Sequence, residues 1–413
     1  MGRALRRISL TAWIFLSLVV GILLGVFFPN FAKSLAPISN IFLRLIKSII
    51  GPLLFGTLVS GIASAGELKI MGRIALKAIA YFEVATTLAL VIGLVIVNLS
   101  QPGAGLTLTP NPGASAAPAG RVSLIGTLEH AVPNNLFEAL AQNDVLQMVV
   151  FFFLFGAACS AVGAKAQPVV NFAEAVAQVM FRYTKYVMYT APFGVGAAIA
   201  VTIGSKGAGV LLSLGKLIAT LYLAQALVVV LVLGSSLVIA GVPIKRFVRA
   251  VRQPWVLAFS TASSEAALPL ALENMELLGI PKHIVGFVLP TGYSFNLVGS
   301  ALYLSLASLF VAQAAGTRMP LSTQIMMMLT LMLTSKGVAA VPRAALVILA
   351  GTIGQFNLPM EGVSLLLGVD ALMDMCRTSV NLLGNCAATA VVARWEGVRL
   401  AEAGEVELTT VAS

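Results

Sequence analysis

Long apolar runs recur along this chain almost from end to end, from Leu10 to Trp395. A helix needs roughly 20 apolar residues to cross the hydrocarbon core of a bilayer, and the runs are of that order. Hydrophobic residues make up 59% of the 413 residues and charged residues only 10%, whereas soluble domains carry about 25% charged residues. The pattern predicts an all-α integral membrane protein, because a soluble protein of this length would need more polar surface.

The net charge of +10 arises from basic residues in short loops beside the apolar runs. A nucleic-acid-binding protein would instead present a solvated basic stripe with aromatic side chains, so we expect no nucleic-acid partner. Basic loops of membrane proteins face the cytoplasm. The sequence therefore predicts that these loops are cytoplasmic. Their basic residues are Arg3, Arg6, Arg7, Lys69, Arg73, Lys77, Lys245, Arg246, Arg249 and Arg252.

Signatures of enzymes and of resident cofactors do not occur among the polar residues of the apolar runs. We find no phosphate loop, no zinc signature and no nucleophile with a nearby base. Cys159, Cys376 and Cys386 lie in apolar surroundings without metal-ligand spacing, which predicts buried thiols. The sequence therefore predicts a protein that is not an enzyme, with no cofactor and no metal site.

Two apolar segments of the C-terminal half are interrupted by small polar residues, glycine and proline, in STASSEAALP at 260–269 and in TSKGVAAVPR at 334–343. Non-helical backbone at membrane depth is tolerated only where protein or a water-filled cavity satisfies it. We therefore expect two re-entrant helical hairpins with their tips in a polar site, as in transporter repeats. Elsewhere, periodicity predicts helices at 9–29, 38–65, 73–100, 144–163, 183–204 and 209–241, a broken segment at 123–141 and an amphipathic one at 167–182.

A third interruption lies within 282–313, in PTGYSFNLVGSALY. Carbonyl groups exposed by a helix break there could ligate a cation. Small residues also let membrane helices pack closely, so packing is the competing interpretation. The interrupting residues are Gly292, Ser294, Asn296, Gly299 and Ser300.

The segment GVDALMDMCRTSVNLLGN at 368–385 places charges inside a membrane-length apolar run. At about 100° per residue, its polar side chains fall within roughly a 100° arc of one helix face. An ionised side chain at mid-bilayer costs about 3 kcal/mol even on the least costly scale, so this face must meet protein, water or a ligand. It predicts a substrate path. The side chains are Asp370, Asp374, Arg377, Thr378, Asn381 and Asn385.

These segments resemble the dicarboxylate/amino acid:cation symporters, the glutamate transporter family, and are most similar to its bacterial proton/glutamate-aspartate symporters. The similarity lies in ordered motifs that span nearly the whole chain. The motifs are AYFEVATTLALVIGLVIVNLSQPGAG at 80–105, STASSEAALP at 260–269, PTGYSFNLVGSALY at 290–303, TSKGVAAVP at 334–342 and GVDALMDMCRTSVNLLGN at 368–385.

The resemblance implies eight transmembrane helices and two re-entrant hairpins in a homotrimer that works as an elevator. It implies scaffold helices within 9–65 and 123–204, and a transport unit at 73–100 and 209–394. Residues 395–413 would form a cytoplasmic tail. We therefore expect a multi-pass protein of the bacterial inner (cytoplasmic) membrane, in contact with the lipid bilayer and with both termini in the cytoplasm.

The resemblance also implies roles for single residues. Arg377 would pair with the side-chain carboxylate of glutamate or aspartate, and Asp374 with the amino group. C4-dicarboxylate transporters of the family look to have a non-acidic residue at the position of Asp374, which favours an acidic amino acid over succinate, fumarate or malate. The other implied substrate-binding residues are Ser263, Ser264, Ser300, Ala340, Val341, Pro342, Thr378 and Asn381.

The coupling ion is predicted less directly, because this chain departs from the family pattern. Val298 and Asn385 stand where sodium-coupled members have acids, and losing two carboxylates weakens the compensation of a dehydrated sodium ion. Val298 also departs from proton-coupled and dicarboxylate relatives, which keep that acid. We therefore expect protons to be favoured over sodium as the coupling ion. The candidate coupling residues are Glu83, Glu265, Ser294, Asn296, Asp370 and Asn385.

Several of these residues have competing interpretations. Glu265 would pair with Arg377 in the absence of substrate and take a proton when substrate replaces it. Glu83 could equally be a structural acid, and Asp370 could anchor its helix without touching substrate. Arg343, where relatives have glycine, could contact a carboxylate, obstruct closure or extend towards water.

Three functions remain open from the sequence. The first is a proton-coupled symporter of glutamate or aspartate. The second is a C4-dicarboxylate symporter. The third, of another class, is an uncoupled substrate-gated conductance or a binding protein that no longer transports, since Val298 and Arg343 could uncouple the cycle.

Overall fold

The structure is a computed structural model that describes residues 10–64, 72–106, 108, 132–142, 145–207, 209–335 and 344–400. Within these ranges every regular element is helical, as the sequence predicts. In the N-terminal half the helices are α1 (Leu10–Phe27), α2 (Pro29–Ser34), α3 (Ala36–Ser64), α4 (Gly72–Ser100), α5 (Leu136–Gln142), α6 (Val145–Val162), α7 (Gln167–Tyr189) and α8 (Ala191–Lys206).

The C-terminal half begins with α9 (Val210–Val228), which continues through a π-helical segment, Val229–Gly234, into α10 (Ser235–Ile239). The sequence predicts this stretch as one helix over 209–241, and the described helical path confirms it. The remaining helices are α11 (Ile244–Thr261), α12 (Ser264–Leu277), α13 (Lys282–Phe295), α14 (Val298–Ala314), α15 (Leu321–Thr334), α16 (Ala344–Gln355), α17 (Glu361–Leu367) and α18 (Asp370–Trp395).

One predicted helix boundary is wrong. The sequence pattern separates an amphipathic segment at 167–182 from a span at 183–204, but α7 runs on to Tyr189 and the chain turns at Thr190. Pro192 explains the position of the turn. Proline lacks the N–H of a helix interior and is tolerated in the first turn, where α8 places it.

Four helical stretches of the described chain are long and apolar enough to cross a membrane. Shorter apolar helices, including Ala12–Phe27 and Ala191–Ser205, accompany them. The structure is thus that of a membrane protein with several apolar helices. The four stretches are Gly72–Ser100, Val150–Thr184, Gly209–Ile239 and Lys282–Ala314.

The first predicted hairpin is present as α11 and α12. The chain reverses at Ala262, which adopts the left-handed conformation (φ 48°), a position that costs a non-glycine residue about 1–2 kcal/mol. Asn274 ties the two arms together, since its Nδ2 donates to the carbonyl oxygen of Ala250 at 2.8 Å. The tip of the second predicted hairpin, 336–343, lies outside the described residues, between α15 and α16.

The helices fall into two compact units. The first unit comprises Met1–Gly66, Leu94–Leu221 and Leu304–Met373. Small residues bring its helices close together: a Cβ on Gly56 would lie 2.6 Å from the backbone nitrogen of Ala177. Such contacts replace the hydrophobic effect, which does not drive helices together in lipid.

The second unit comprises Glu67–Gly93, Tyr222–Tyr303 and Asp374–Ser413. At one end, Glu396 accepts hydrogen bonds from Arg73 Nε at 3.1 Å and from Lys77 Nζ at 2.7 Å. These hydrogen bonds hold the pKa of Glu396 below its usual value, and the bond from Arg73 has the largest effect. The end of α18 is thereby fastened to the start of α4, and the second unit holds most of the predicted site.

Candidate functional site

The polar face predicted at 368–385 lies on one continuous helix, α18. Its six polar side chains are all buried, with Asp370 0% and Arg377 1% exposed. The prediction that this face avoids lipid is confirmed. Burying an arginine and an aspartate costs desolvation free energy unless the two charges compensate each other. The distance between the two side chains is therefore informative.

Arg377 and Asp374 form a direct ion pair within α18. The Nε atom of Arg377 donates to Oδ1 of Asp374 at 2.9 Å, and the hydroxyl of Thr378 donates to the same oxygen at 3.1 Å. The spacings of three and four residues place these side chains on one face of the helix. An acid and a base side by side are what a zwitterion with an additional carboxylate requires.

Tyr303 of α14 lies against the guanidinium of Arg377. The Cζ atom of Arg377 is 4.3 Å from the ring centroid, within the range of a cation–π interaction. Tyr303 is 1% exposed, so the contact is shielded from water. Tyr303 is not among the residues that the sequence predicts for the site, although it ends the motif at 290–303. Its only signal is its position three residues after Ser300, on the same face of one helix.

We predict that Tyr303→Leu weakens binding of an acidic substrate by about 2- to 30-fold, the range corresponding to a cation–π contribution of about 0.5–2 kcal/mol. Tyr303→Phe keeps the aromatic face and should bind within a few-fold of the wild type. Equilibrium binding of labelled aspartate to the purified protein measures both. Equal losses in the two variants would show that the ring does not act on Arg377.

Ser300 and Asn381 join α14 to α18 through two hydrogen bonds. The backbone N–H of Ser300 donates to Oδ1 of Asn381 at 3.1 Å, and Nδ2 of Asn381 donates to the hydroxyl of Ser300 at 2.9 Å. Both residues are buried. The amide of Asn381 is thereby held one helical turn beyond Arg377, beside the ion pair.

Asn296 and Asn385 meet where α13 ends and α14 begins. Their side-chain amides are 3.0 Å apart. With the amide of Asn385 turned to suit its neighbours, its nitrogen donates to the carbonyl oxygens of Asn296 and Gly292 at 3.2 and 3.3 Å. The predicted interruption of 282–313 is confirmed at 296–297. In this arrangement the amide of Asn385 satisfies the carbonyl group of Asn296 at the break, and it adds a second donor to the carbonyl group of Gly292, which already accepts from the backbone N–H of Asn296 at 2.8 Å.

Glycines make these contacts possible. A Cβ on Gly299 would lie 2.4 Å from the carbonyl oxygen of Arg377, and one on Gly292 would lie 2.6 Å from Oδ1 of Asn385. Both distances are too short for any side chain. Close packing therefore accounts for Gly292 and Gly299, while the same close approach brings polar backbone groups to the site.

Gln225 is a second residue that the sequence analysis missed. It is 1% exposed in the apolar stretch Gly209–Ile239, and its Nε2 donates to the carbonyl oxygen of Gly299 at 2.7 Å. A glutamine in the middle of an apolar span is a visible signal. Its partner is not visible, because the two residues are far apart in sequence.

The tip of the first hairpin also contacts α13 in this unit. The hydroxyl of Ser263 caps α12 by accepting from the backbone N–H of Ala266 at 3.3 Å. The hydroxyl of Tyr293 donates to the carbonyl oxygen of Ser264 at 2.8 Å. The hydroxyl oxygen of Ser263 thus caps α12, and the carbonyl oxygen of Ser264 is held by Tyr293.

The other predicted residues are placed in part. Glu265 and Ser294 have their backbones in α12 and α13, but their side chains lie outside the described structure. Glu83 is half-buried in α4, and Asp370 lies in the first turn of α18, where a helix favours a negative charge. Val298 is buried, and Cys159, Cys376 and Cys386 are buried free thiols, as predicted. Ala340, Val341, Pro342 and Arg343 lie outside the described residues.

Comparison with known proteins identifies the family of this chain. Residues 10–395 match the profile of the Sodium:dicarboxylate symporter family. The chain belongs to the sodium:dicarboxylate symporter family. It is a family of transporters and not of enzymes, in agreement with the sequence analysis.

Its relatives carry two kinds of name. The chain is 41% identical over 411 residues to the proton/sodium-glutamate symport protein of Geobacillus stearothermophilus, covering 97% of this chain and 98% of that protein. It is 43% identical over 396 residues to the C4-dicarboxylate transport protein of Anaeromyxobacter sp. (strain K), covering 94% of this chain and 90% of that protein. Overall identity therefore does not separate the two substrate classes, and the site must do so.

Proposed function

We propose that this protein is a secondary active symporter that imports aspartate or glutamate together with protons. The observation that carries the proposal is the buried pair of Arg377 and Asp374, joined at 2.9 Å. The guanidinium of Arg377 suits the distal carboxylate of the substrate, and the carboxylate of Asp374 suits the ammonium group. A relative named as a proton/sodium-glutamate symport protein supports the same choice.

The proposed binding step exchanges partners. In the structure, Arg377 and Thr378 both donate to Oδ1 of Asp374. A substrate carboxylate competes for the guanidinium, and the incoming ammonium then compensates Asp374. Arg377 and Asp374 each keep an oppositely charged partner throughout, so the exchange avoids the cost of breaking a buried ion pair, about 3–5 kcal/mol. Asn381 and Ser300 supply neutral hydrogen bonds beside the pair.

A C4-dicarboxylate is the alternative substrate, favoured by the relatives that bear that name. Such a ligand would draw Arg377 away and bring no ammonium group to replace it at Asp374. We therefore place the dicarboxylate second, because it brings no cation to replace Arg377 at Asp374.

We propose protons as the coupling ion because Val298 and Asn385 stand where sodium-coupled relatives look to have acids. Asn385 and Asn296 face each other at 3.0 Å, and Val298 is buried and apolar. Neutral groups compensate a dehydrated sodium ion less well than carboxylates do. The proton carrier is then one of the acids, and we place Glu265 at the hairpin tip first, ahead of Glu83 and Asp370.

Glu265→Gln is predicted to abolish uphill accumulation of glutamate and the pH dependence of uptake, because the amide cannot release a proton. Exchange of internal for external glutamate should persist, since substrate binding does not require that proton to move. The control is Glu273→Gln, an exposed acid on the same helix. Uphill accumulation by Glu265→Gln with unchanged pH dependence would rule this residue out.

The architecture proposed from the resemblance has eight transmembrane helices and two hairpins in a homotrimer that moves as an elevator. Scaffold helices within 9–65 and 123–204 would hold a moving unit of 73–100 and 209–394. Both termini would be cytoplasmic, in the inner membrane of a bacterium. Ala340, Val341 and Pro342 remain substrate-binding positions by resemblance alone.

An uncoupled conductance or a binding protein is the candidate of another class. Counterflow in proteoliposomes separates it from a symporter. Labelled aspartate that exchanges but never accumulates uphill, in either a proton or a sodium gradient, would exclude symport. Accumulation in either gradient would exclude the uncoupled function.

A further inference from the structure

The first arm of hairpin one, α11, follows an apolar stretch that is long enough to cross a membrane, Gly209–Ile239. Residues 240–243 connect the two. From Ile239 to Ile244 the chain spans at most about 18 Å, so the start of α11 lies near the end of that stretch. We therefore expect the first turns of α11 at the level of lipid headgroups.

This helix has two different faces. Its buried face packs within the second unit through Phe247, Ala250, Val251, Pro254 and Ala258. The opposite face is exposed, and its members recur at helical spacing. We name this face the basic stripe. It consists of three cations and three apolar residues, namely Lys245, Arg249, Arg252, Val248, Trp255 and Val256.

The stripe changes from basic to apolar along the helix. Its cations occupy the first turns, whereas Trp255 and Val256, 37% and 51% exposed, follow towards the hairpin tip. Tryptophan concentrates where hydrocarbon meets headgroups, and long basic side chains reach outwards from there. The order matches a helix that enters the bilayer from the headgroup layer.

Several basic residues outside the stripe have partners at this end of the unit. Arg73 and Lys77 bond Glu396, Arg394 donates to the carbonyl oxygen of Ala240 at 3.0 Å, and Lys282 lies 3.8 Å from Glu276. In the part of the chain that is described, Lys245, Arg249 and Arg252 make no side-chain hydrogen bond or ion pair. The acids on the packed arm α12 are Glu265, whose side chain lies outside the described structure, Glu273, which is exposed, and Glu276.

We propose that the basic stripe binds anionic phospholipids of the leaflet in which the hairpin is rooted. The phosphate groups contact Lys245, Arg249 and Arg252, and the acyl chains cover Val248, Trp255 and Val256. Charge complementarity argues for this occupant, because the exposed cations face a layer of phosphates. Since α11 is about 27 Å long, the lipid anchors one end of the arm whose other end is the hairpin tip.

Fluorescence quenching of Trp255 tests the proposal on the full chain in proteoliposomes. Trp13→Phe and Trp395→Phe leave Trp255 as the only tryptophan. All vesicles contain phosphatidylglycerol and phosphatidylcholine at one fixed ratio. In one set the phosphatidylglycerol is brominated, and in the other set the phosphatidylcholine is brominated. We expect quenching by the anionic lipid to exceed quenching by the zwitterionic lipid, and the preference to fall by about five-fold for each cation removed.

Matched variants distinguish the stripe from net charge. The triple variant Lys245→Gln, Arg249→Gln, Arg252→Gln should lose the preference, whereas Lys245→Arg, Arg249→Lys, Arg252→Lys should keep it. Lys33→Gln, Lys165→Gln, Lys282→Gln removes the same charge from exposed positions elsewhere and should also keep it. The proposal is overturned by equal quenching in the parent protein, by a preference that survives in the triple glutamine variant, or by its loss in the Lys33 set. Absence of quenching by either lipid, as when a second copy covers the stripe, also overturns it.

Discussion

Arg377→Ala is expected to abolish uptake of aspartate and glutamate and to weaken their binding by at least about 100-fold, equivalent to about 3 kcal/mol. The side chain is 1% exposed, and its Nε atom is bonded to Asp374. Its removal deletes the group that we assign to the substrate carboxylate. It also leaves Asp374 as a buried acid without its cation.

Equilibrium binding and proteoliposome uptake measure this effect together. Arg377→Lys should recover only part of the binding, because an ammonium group lacks the planar donor fork of a guanidinium. Arg318→Ala is the control, since Arg318 is exposed and lies in the loop that precedes α15. Binding of aspartate by Arg377→Ala within a few-fold of the wild type would remove Arg377 from the substrate site.

Asp374→Asn is expected to change which substrate is preferred. The amide keeps the size of the carboxylate but loses its charge, so the ammonium group of aspartate loses its partner. We predict about a 100-fold loss in aspartate affinity, as expected for a buried charge-assisted contact worth about 3 kcal/mol. Succinate has no ammonium group, and its affinity should stay unchanged or rise.

The ratio of the two affinities is the informative quantity, since a general disturbance of the site would lower both. Competition of unlabelled succinate and unlabelled aspartate against one labelled ligand measures it within a single preparation. Thr378→Val is a comparison variant, because it removes the hydrogen bond from Thr378 to Asp374 without changing charge. Equal losses for aspartate and succinate in Asp374→Asn would show that Asp374 does not contact the amino group.

The parts of the site that sequence predicts are those where a charge conflicts with its surroundings. Asp374 and Arg377 are conspicuous because ionised groups are costly in an apolar helix. The break at 296–297 and the hairpin reversal at Ala262 are predictable because glycine, serine and asparagine interrupt apolar runs there. These features depend on local sequence, so one chain suffices to find them.

Other parts of the site require the fold. Tyr303 is one aromatic residue among many until its ring is seen 4.3 Å from Arg377. Gln225 bonds a carbonyl group that is distant in sequence. The sequence pattern predicts the helix boundary between 182 and 183, which is too early in the chain, because α7 has no sharp change from amphipathic to apolar pattern. Pro192 instead sets where the next helix begins.

Proton-coupled movement of acidic amino acids is the function that we propose for this protein. Uptake of labelled aspartate, glutamate and succinate into proteoliposomes, with an inward proton gradient or an inward sodium gradient applied separately, measures the substrate and the coupling ion together. We expect uphill accumulation of aspartate and glutamate in the proton gradient, little accumulation of succinate, and none driven by sodium alone. Accumulation that requires sodium, or succinate uptake that exceeds uptake of both amino acids, would show that the proposed function is wrong.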